Sequence, residues 1–289
     1  MNQDDTPIGI TGSTGFIGGR VAAMLSEQGA NLRLLVRDAS RAPQLPASSL
    51  HECGYGDFEA SKRALEGVAT LLMVSGAESA DRLAQHRTFV DAAAAAGVRH
   101  VVYTSFAAAA PDATFTLARD HFHTEAHIKS SGMHWTFLRD SFYMDVMEPF
   151  VGEDSVIRGP GGNGKVALVA RADVARAAAV ILSKPNEHLD TTYDLTGPEA
   201  LSFAEVASTI SDVRGTEVQF YDESLEEAYE SRASYGVPDW QVEAWVSTYT
   251  AVASNVMATV SGDVERITGA PPMRFEQYLS ATDARTEQS

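Results

Sequence analysis

Apolar residues recur along the first half of the chain in two alternating rhythms. Short, nearly continuous apolar runs at residues 8–11, 31–36, 50–53, 70–74, 98–104 and 135–138 read as strands buried on both faces. Between them lie segments with apolar positions three and four apart. The segment from Phe16 and those at 59–66, 82–96 and 121–130 read as helices, closed by Gly29, Gly67, Gly97 and Gly132. Strand and helix alternate through six strands. That pattern predicts a doubly wound parallel α/β sheet, with its ligand crevice at the carboxyl ends of the strands.

The second half changes rhythm. Residues 166–169 and 193–195 read as short strands and 218–221 as another. Asp173 is expected to cap the helix that runs to Ser183. Ser202-x-x-Glu205 and Ser224-x-x-Glu227 are capping boxes, so helices begin there. Further helical segments cover 240–260, and 275–279 ends a smaller lobe. Residues 281–289 are polar and expected to fray. The glycine-rich run 159–165 lacks a Gly-Lys-Ser/Thr ending and a following helix, so a turn is expected there, not a phosphate loop. The domains are expected at 1–150 and 151–289, with 166–195 returning to the sheet.

The stretch Gly12-Ser13-Thr14-Gly15-Phe16-Ile17-Gly18 follows the first strand and opens the first helix. Strand, tight turn and helix is the context a dinucleotide-phosphate site requires. Gly12 allows the turn, Gly15 lets a pyrophosphate approach the backbone amides, and Gly18 lets the helix pack on the strand. Arg37 ends the second strand, where the adenosine ribose would lie. A guanidinium there suits a 2′-phosphate, which points to NADP(H). The plain alternative is a solvated strand-end charge. Asp38 complicates the position, since it either pairs with Arg37 or binds a ribose. Asp57 and Phe58 sit where an adenine edge and face would lie, and Asp57 also suits a helix N-cap. Ser75-Gly76 and Thr104-Ser105-Phe106 end the fourth and fifth strands. Asp140-Ser141-Phe142-Tyr143 ends the sixth.

Composition narrows the partners. The net charge is −17, and the lysines are Lys62, Lys129, Lys165 and Lys184 alone. That balance disfavours nucleic acid and anionic membranes. Cys53 is the single cysteine, so no intrachain disulfide forms. Residues 1–5 hold no basic or apolar run, so no secretory leader is expected there and the localisation is read as cytoplasmic.

With these residues in hand, the chain resembles the NmrA-like atypical short-chain dehydrogenase/reductases, and among them the bacterial NADPH:quinone oxidoreductases and triphenylmethane-dye reductases. The resemblance rests on residues 11–18, Val36-Arg37, Gly56-Asp57, Gln85-His86-Arg87, Tyr103-Thr104-Ser105, His121-x-x-Thr124-Glu125, Thr136-Phe137-Leu138-Arg139 and Arg171-x-Asp173. It implies a Rossmann-type sheet with a smaller interleaved C-terminal α/β lobe. It also implies cofactor contacts from residues 12–18, Arg37, Asp57, Phe58, Ser75 and Thr104, and a nicotinamide beside residues 140–145 with Tyr143 facing it. The chain departs from the family at Asp140, where many members have asparagine.

The dehydrogenase pair Tyr-x-x-x-Lys is absent, because Phe58, Glu125, Gly161 and Val180 stand four before the lysines. Ordinary ketone reduction by that pair is therefore excluded. Quinones, azo groups and conjugated cations need less acid assistance, so the expected acceptor is a small aromatic one. His121 occupies the place of the family's catalytic lysine and is read as a hydrogen-bond or proton donor near neutral pH. The alternative is a histidine bonded to backbone at a helix start. Phe106, Phe142 and Tyr143 would shape a floor for a flat substrate beside Asp140. Tyr143 reads equally as core. His123 and His127 are four apart but lack a third ligand, so a helix face or dimer contact is expected rather than a metal. A monomer or homodimer is expected. A family-based alternative is an NADP(H)-binding regulatory sensor without turnover.

Overall fold

The computed structural model describes residues 6–286. The elements run β1 (Ile8–Thr11), α1 (Phe16–Glu27), β2 (Leu32–Val36), β3 (Ser48–Glu52), α2 (Phe58–Leu65), β4 (Thr70–Met73), α3 (Arg82–Ala95), β5 (His100–Phe106), α4 (Thr116–Ser130), β6 (His134–Asp140), β7 (Val156–Gly159), α5 (Arg171–Ser183), β8 (Thr191–Leu195), α6 (Phe203–Arg214), β9 (Gln219–Asp222), α7 (Leu225–Ala233), α8 (Asp239–Ala253), α9 (Asp263–Thr268) and α10 (Phe275–Thr286).

The main sheet has the order β3-β2-β1-β4-β5-β6-β8. Its registers are parallel where β1 meets β2 and β4, where β2 meets β3 and where β4 meets β5. Ile10 lies beside Leu34 on one side and Leu72 on the other, all buried. Burial on both faces explains why these strands read as continuous apolar runs and not as alternating ones. The strand order turns at β1 and β4, the position where such sheets open a crevice at their carboxyl ends. β8 makes a seventh strand, beyond the six of the first-half alternation.

Two compact units form. The first takes the chain up to Ala109, then Asp120–Arg139 and Val174–Tyr193. The second takes Ala110–Arg119, Asp140–Asp173 and the chain from Asp194 on. In the first, one core cluster joins Leu71 and Met73 of β4, Val101 and Tyr103 of β5 and Phe137 of β6 to Phe89 and Val90 of α3. In the second, Phe203 stacks on Phe220 at 5.5 Å and lies 4.9 Å from the Tyr249 ring. The glycine-rich run 159–165 wraps this cluster. A Cβ at Gly164 would lie 2.0 Å from Val252 O, and one at Gly161 would lie 2.6 Å from Phe203. These glycines serve close packing. Both capping boxes are complete, at Ser202/Glu205 and Ser224/Glu227.

Several expectations are corrected. Residues 166–169 form no strand; Val166 bridges Leu201 and Val169 bridges Tyr143, one pair each. Their apolar run reflects full burial of an irregular segment. β7 is a strand the pattern did not mark, since only two apolar residues precede its glycine; it pairs in parallel with β9. α4 starts at Thr116 rather than at His121, because buried Leu117 and Ala118 extend its apolar face. Asp173 lies inside the first turn of α5 rather than before it, and its Oδ2 accepts the Met273 N–H at 2.7 Å. α8 stops at Ala253, short of residue 260. α10 carries the tail on to Thr286, past the expected fraying point at 281. Residues 1–5, on which the leader expectation rested, and residues 287–289 lie outside the described residues. Among the described residues, no helix is long and apolar enough to cross a membrane.

Candidate active site

The carboxyl end of β1 makes a cradle of backbone. Gly12 turns with φ +64°, a left-handed conformation that disfavours a side chain. The Gly15 N–H donates to Gly12 O at 2.9 Å and closes the turn. A Cβ on Gly18 would lie 2.5 Å from Gly12 O and 2.6 Å from Thr11 O, so only glycine lets α1 come this close. Gly15 opens α1 with no side-chain cap, and no acid lies in the first turn. An uncapped helix start presents amide N–H groups and the positive end of the helix dipole to an anion. Thr14 and Gly15 are exposed at its mouth, while Phe16 is partly covered, 5.2 Å beneath the Arg20 guanidinium. Ser13 Oγ is buried and bonded to nothing among the described residues. Ile17 faces the core.

Beyond β2, Arg37 is exposed. Asp38 leaves it alone: its Oδ1 accepts from Ser40 N at 2.9 Å and from Ser40 Oγ at 2.6 Å, capping a single 3-10 turn. Those bonds hold its carboxyl below the usual range. The open question of an Arg37–Asp38 pair is thus settled by a local turn. Asp57 caps α2 through the Ala60 N–H at 2.9 Å, with Phe58 partly buried beside it.

The tips of β4 and β5 are tied together. The Ser75 N–H donates to Thr104 Oγ1 at 2.8 Å, and the Gly76 N–H donates to His86 Nε2 at 2.9 Å. His86 Nε2 is therefore an acceptor, and its Nδ1–H points at Thr124 Oγ1, 3.0 Å away. Thr124 Oγ1 in turn donates to Asp120 O at 2.8 Å. Burial, aided by Arg82, drives His86 down to about 3. Tyr55 donates to Val74 O and lies 2.6 Å from Thr11 Oγ1, while Thr11 Oγ1 accepts from Val74 N at 2.9 Å. Tyr55 and His86 thus shape the rim of the crevice, and the sequence reading gave neither a role there. The only prior signal was His86 within the Gln85-His86-Arg87 motif.

α4 lays His121 against β5. His121 is buried, its Nδ1 is 2.9 Å from the Tyr103 hydroxyl, and the Phe106 ring lies at 6.0 Å. Burial, with Arg82 and His86 nearby, holds its pKa well below the ordinary value. His121 is therefore neutral near pH 7. A neutral ring keeps one N–H, so of the two donor roles expected of it the hydrogen bond is the one these surroundings favour. It is also no helix-start residue, since α4 began a turn earlier. Ser105 Oγ donates to Glu125 Oε1 at 2.6 Å, and Glu125 pairs with Arg139, so that hydroxyl is spent on structure. His127 turns to Asp91, 2.7 Å away.

At the tip of β6, Asp140 and Ser141 are buried. Tyr143 donates its hydroxyl to Asp140 Oδ2 at 2.8 Å. Burial raises Asp140 well above the usual carboxylate range. Burial and the neighbouring Asp140 likewise raise Tyr143, so the phenol stays protonated. Phe142 is buried edge-on to Phe115 at 5.1 Å, in the core and not on an open floor. Arg171 pairs with Asp145 at 2.7 Å. A surface hollow lined by Ile8, Asn31, Arg99 and His134 opens at the amino ends of the strands, away from all of these tips.

A glycine turn, an uncapped helix start and an exposed arginine at the next strand tip define a nucleotide-binding fold of the doubly wound class, and the cradle fits a dinucleotide diphosphate. The chain belongs to the NmrA-like family, whose model matches residues 4–265. It is 31% identical to an NAD(P)H azoreductase of Xenophilus azovorans, over 94% of this chain and 96% of that one. The NADPH complex of an NADPH-dependent quinone oxidoreductase from Escherichia coli superposes with a TM-score of 0.87 at 29% identity, covering 96% of this chain and 99% of that one. The NADP(H) complex of the Citrobacter sp. triphenylmethane reductase gives 0.84 at 29% identity, covering 95% and 99%.

Proposed function

We propose that this chain is an NADPH-dependent oxidoreductase that delivers hydride to a small conjugated aromatic acceptor of the quinone, azo or triphenylmethane kind. The cradle from Gly12 to Gly18 carries the reading, because it offers main-chain amides where a Cβ would leave no room. Relatives named for these three acceptor classes support it. The first compact unit, which carries the cradle, holds the cofactor, and the second supplies the smaller substrate lobe.

NADPH, when bound, supplies the hydride. The chain does the rest. Backbone amides at 12–18 bind the diphosphate, and the buried Ser13 Oγ gains a partner there. Arg37, with no side-chain bond among the described residues, takes the 2′-phosphate. Ser75, Gly76, Thr104 and Ser105 form a small-residue floor whose shape is set by the Thr104 and His86 bonds. His121 and Phe106 offer a neutral, largely apolar wall suited to a flat ring. The test is loss of 340 nm absorbance when NADPH is mixed with a panel of quinones, azo dyes and triphenylmethane dyes. Turnover of at least one class is expected. Tight NADP⁺ binding with no turnover of any acceptor would replace this reading with a cofactor sensor.

A further inference from the structure

Tyr103 is fully buried near the carboxyl end of β5, and its hydroxyl has one hydrogen-bond partner among the described residues, His121 Nδ1 at 2.9 Å. Burial raises the phenol above its ordinary range, so the proton stays on it and needs an acceptor. The Thr124 hydroxyl nearby is spent, since it receives the His86 Nδ1–H and gives its own proton to Asp120 O. If His121 carried its proton on Nδ1, the ring would donate to Tyr103, and the Tyr103 O–H would be left buried with no acceptor. With Tyr103 as the donor and Nδ1 as the acceptor, no buried donor in the pair is stranded. The neutral ring then carries its proton on Nε2. Arg82, paired with Asp120 at 3.0 Å, and the nearby His86 disfavour a second proton on that ring.

Nε2 has no hydrogen-bond partner among the described residues, yet, unlike Ser13 Oγ, it is not sealed from solvent. His121 is 6% exposed, so that opening is narrow. Tyr103, His121 and Phe106 all belong to the first compact unit, as does the glycine cradle. The Phe106 ring at the end of β5 is 6.0 Å from that of His121, so the pair stands at the sheet end that carries the cradle. Only β4 separates β5 from β1, which puts the two strands about 10 Å apart.

We propose that Tyr103 is a positioning residue whose hydroxyl holds His121 in the Nε2–H form, and that this N–H donates to a substrate oxygen or nitrogen on which negative charge develops. This rests on the reductase reading above. Hydride delivery brings two electrons to a quinone and leaves negative charge on oxygen. A donor already aimed at that atom stabilises the charge as it forms. The proton stays on Nε2, and the one that completes the product comes from solvent. A cationic triphenylmethane dye takes hydride at carbon and becomes neutral, so it offers the N–H no developing anion. Tyr103 and His121 thus favour carbonyl and azo acceptors over cationic dyes.

Two measurements test this. In protein labelled with ¹⁵N-histidine, long-range ¹H–¹⁵N correlation at pH 7 tells protonated ring nitrogens from unprotonated ones. Loss of one of the eight ring patterns in His121→Gln assigns His121. Nε2 should be the protonated nitrogen, and Tyr103→Phe should shift the Nδ1 resonance. The second measurement is turnover with saturating NADPH. Glutamine carries its amide near the place of Nε2 and asparagine near that of Nδ1, so only the first keeps a donor toward the opening. Removing a donor aimed at developing charge costs roughly 10²–10³ in kcat at a well-formed site. On benzoquinone, kcat should fall at least tenfold in His121→Asn and at least threefold in Tyr103→Phe, with His121→Gln well above His121→Asn. The Kd for NADPH and any rate with a cationic dye should stay within twofold, which a loosened fold would not allow. A proton on Nδ1, a quinone kcat unmoved in both His121→Asn and Tyr103→Phe, or a wild type that reduces only the dye overturns the proposal and leaves the reductase reading standing. A wild type that binds NADPH but reduces no acceptor overturns the reductase reading, and the donor role of His121 with it.

Discussion

Arg139 of β6 donates two parallel hydrogen bonds to Glu125 of α4, Nε to Oε1 at 2.9 Å and Nη2 to Oε2 at 2.7 Å. Glu125 is buried and also accepts from Ser105. This fork fixes α4 on the sheet beside the tip of β5, and with it the position of His121. Breaking a buried pair by removing one partner costs about 3–5 kcal/mol, since the other charge is stranded. Glu125→Ala should lose that much in urea unfolding, and Glu125→Leu with Arg139→Met should recover most of it. A loss below about 1 kcal/mol for the single variant would mean the fork is ornamental.

Gly18 and Gly54 separate packing from mere glycine content. A Cβ at Gly18 would meet Gly12 O at 2.5 Å, while one at Gly54 meets nothing within 4 Å. Overpacking of this kind costs about 1–3 kcal/mol. Gly18→Ala should lower the melting temperature and raise the Kd for NADPH at least tenfold by calorimetry. Gly54→Ala should leave both unchanged. Equal behaviour of the two variants would remove the cradle from the argument.

These two sites also show what a sequence exposes. The role of Gly18 was legible because the strand–glycine–helix order forces one geometry on it. The six strands of the first half were legible because burial on both faces writes an apolar run. The seventh strand was legible too, as the short run at 193–195 and the expected return of 166–195 to the sheet, which β8 makes; β7 was not, since which partner a run of two apolar residues finds depends on the chain's long-range path. Val166 to Val169 misled for the same reason: complete burial alone produced the run. Asp38 turned to Ser40, two residues away, a local bond that its position beside Arg37 concealed. The protonation states of His121 and Asp140 depend on burial, which pattern does not disclose.

Ser13 Oγ is buried with no partner among the described residues, a state that costs about 1–3 kcal/mol for an unsatisfied polar atom. If a diphosphate is what satisfies it, Ser13→Ala should leave the cofactor-free protein as stable as wild type or more so. The same substitution should weaken NADPH at least fivefold. Thermal unfolding with and without NADPH reads both effects. A stability loss without cofactor, or undiminished affinity, contradicts the assignment.

Arg37 is the discriminator between the two coenzymes. A hydrogen bond to a charged group is worth about 1.5–3 kcal/mol, or roughly 10–100-fold in affinity. Arg37→Ala should raise the Kd for NADPH by that factor and leave NADH within twofold. Because Asp38 is already engaged by Ser40, no acid is freed in the variant to favour the ribose hydroxyls. An unchanged preference for NADPH would contradict the 2′-phosphate role.

His86 and His121 together make the fold sensitive to acid. Both are buried, His86 held down to about 3 and His121 well below its ordinary value. The unfolded chain binds their protons near pH 6.5, while the folded chain does not. Between those two values the unfolded state holds more protons, so stability falls as pH falls. The contribution is fully present above pH 6.5 and is lost progressively down to about 3. His86→Gln removes one of these groups and carries an amide oxygen that reaches about as far as Nε2, so an acceptor for the Gly76 N–H is kept. Its unfolding free energy should therefore depend less steeply on pH between 6.5 and 4 than that of wild type, even if it is lower at pH 7. Chemical unfolding at half-unit pH steps gives the slopes. Parallel curves for the two proteins would mean that His86 takes its proton as readily in the folded chain as in the unfolded one, and the acceptor role of Nε2 toward Gly76 would fall with it.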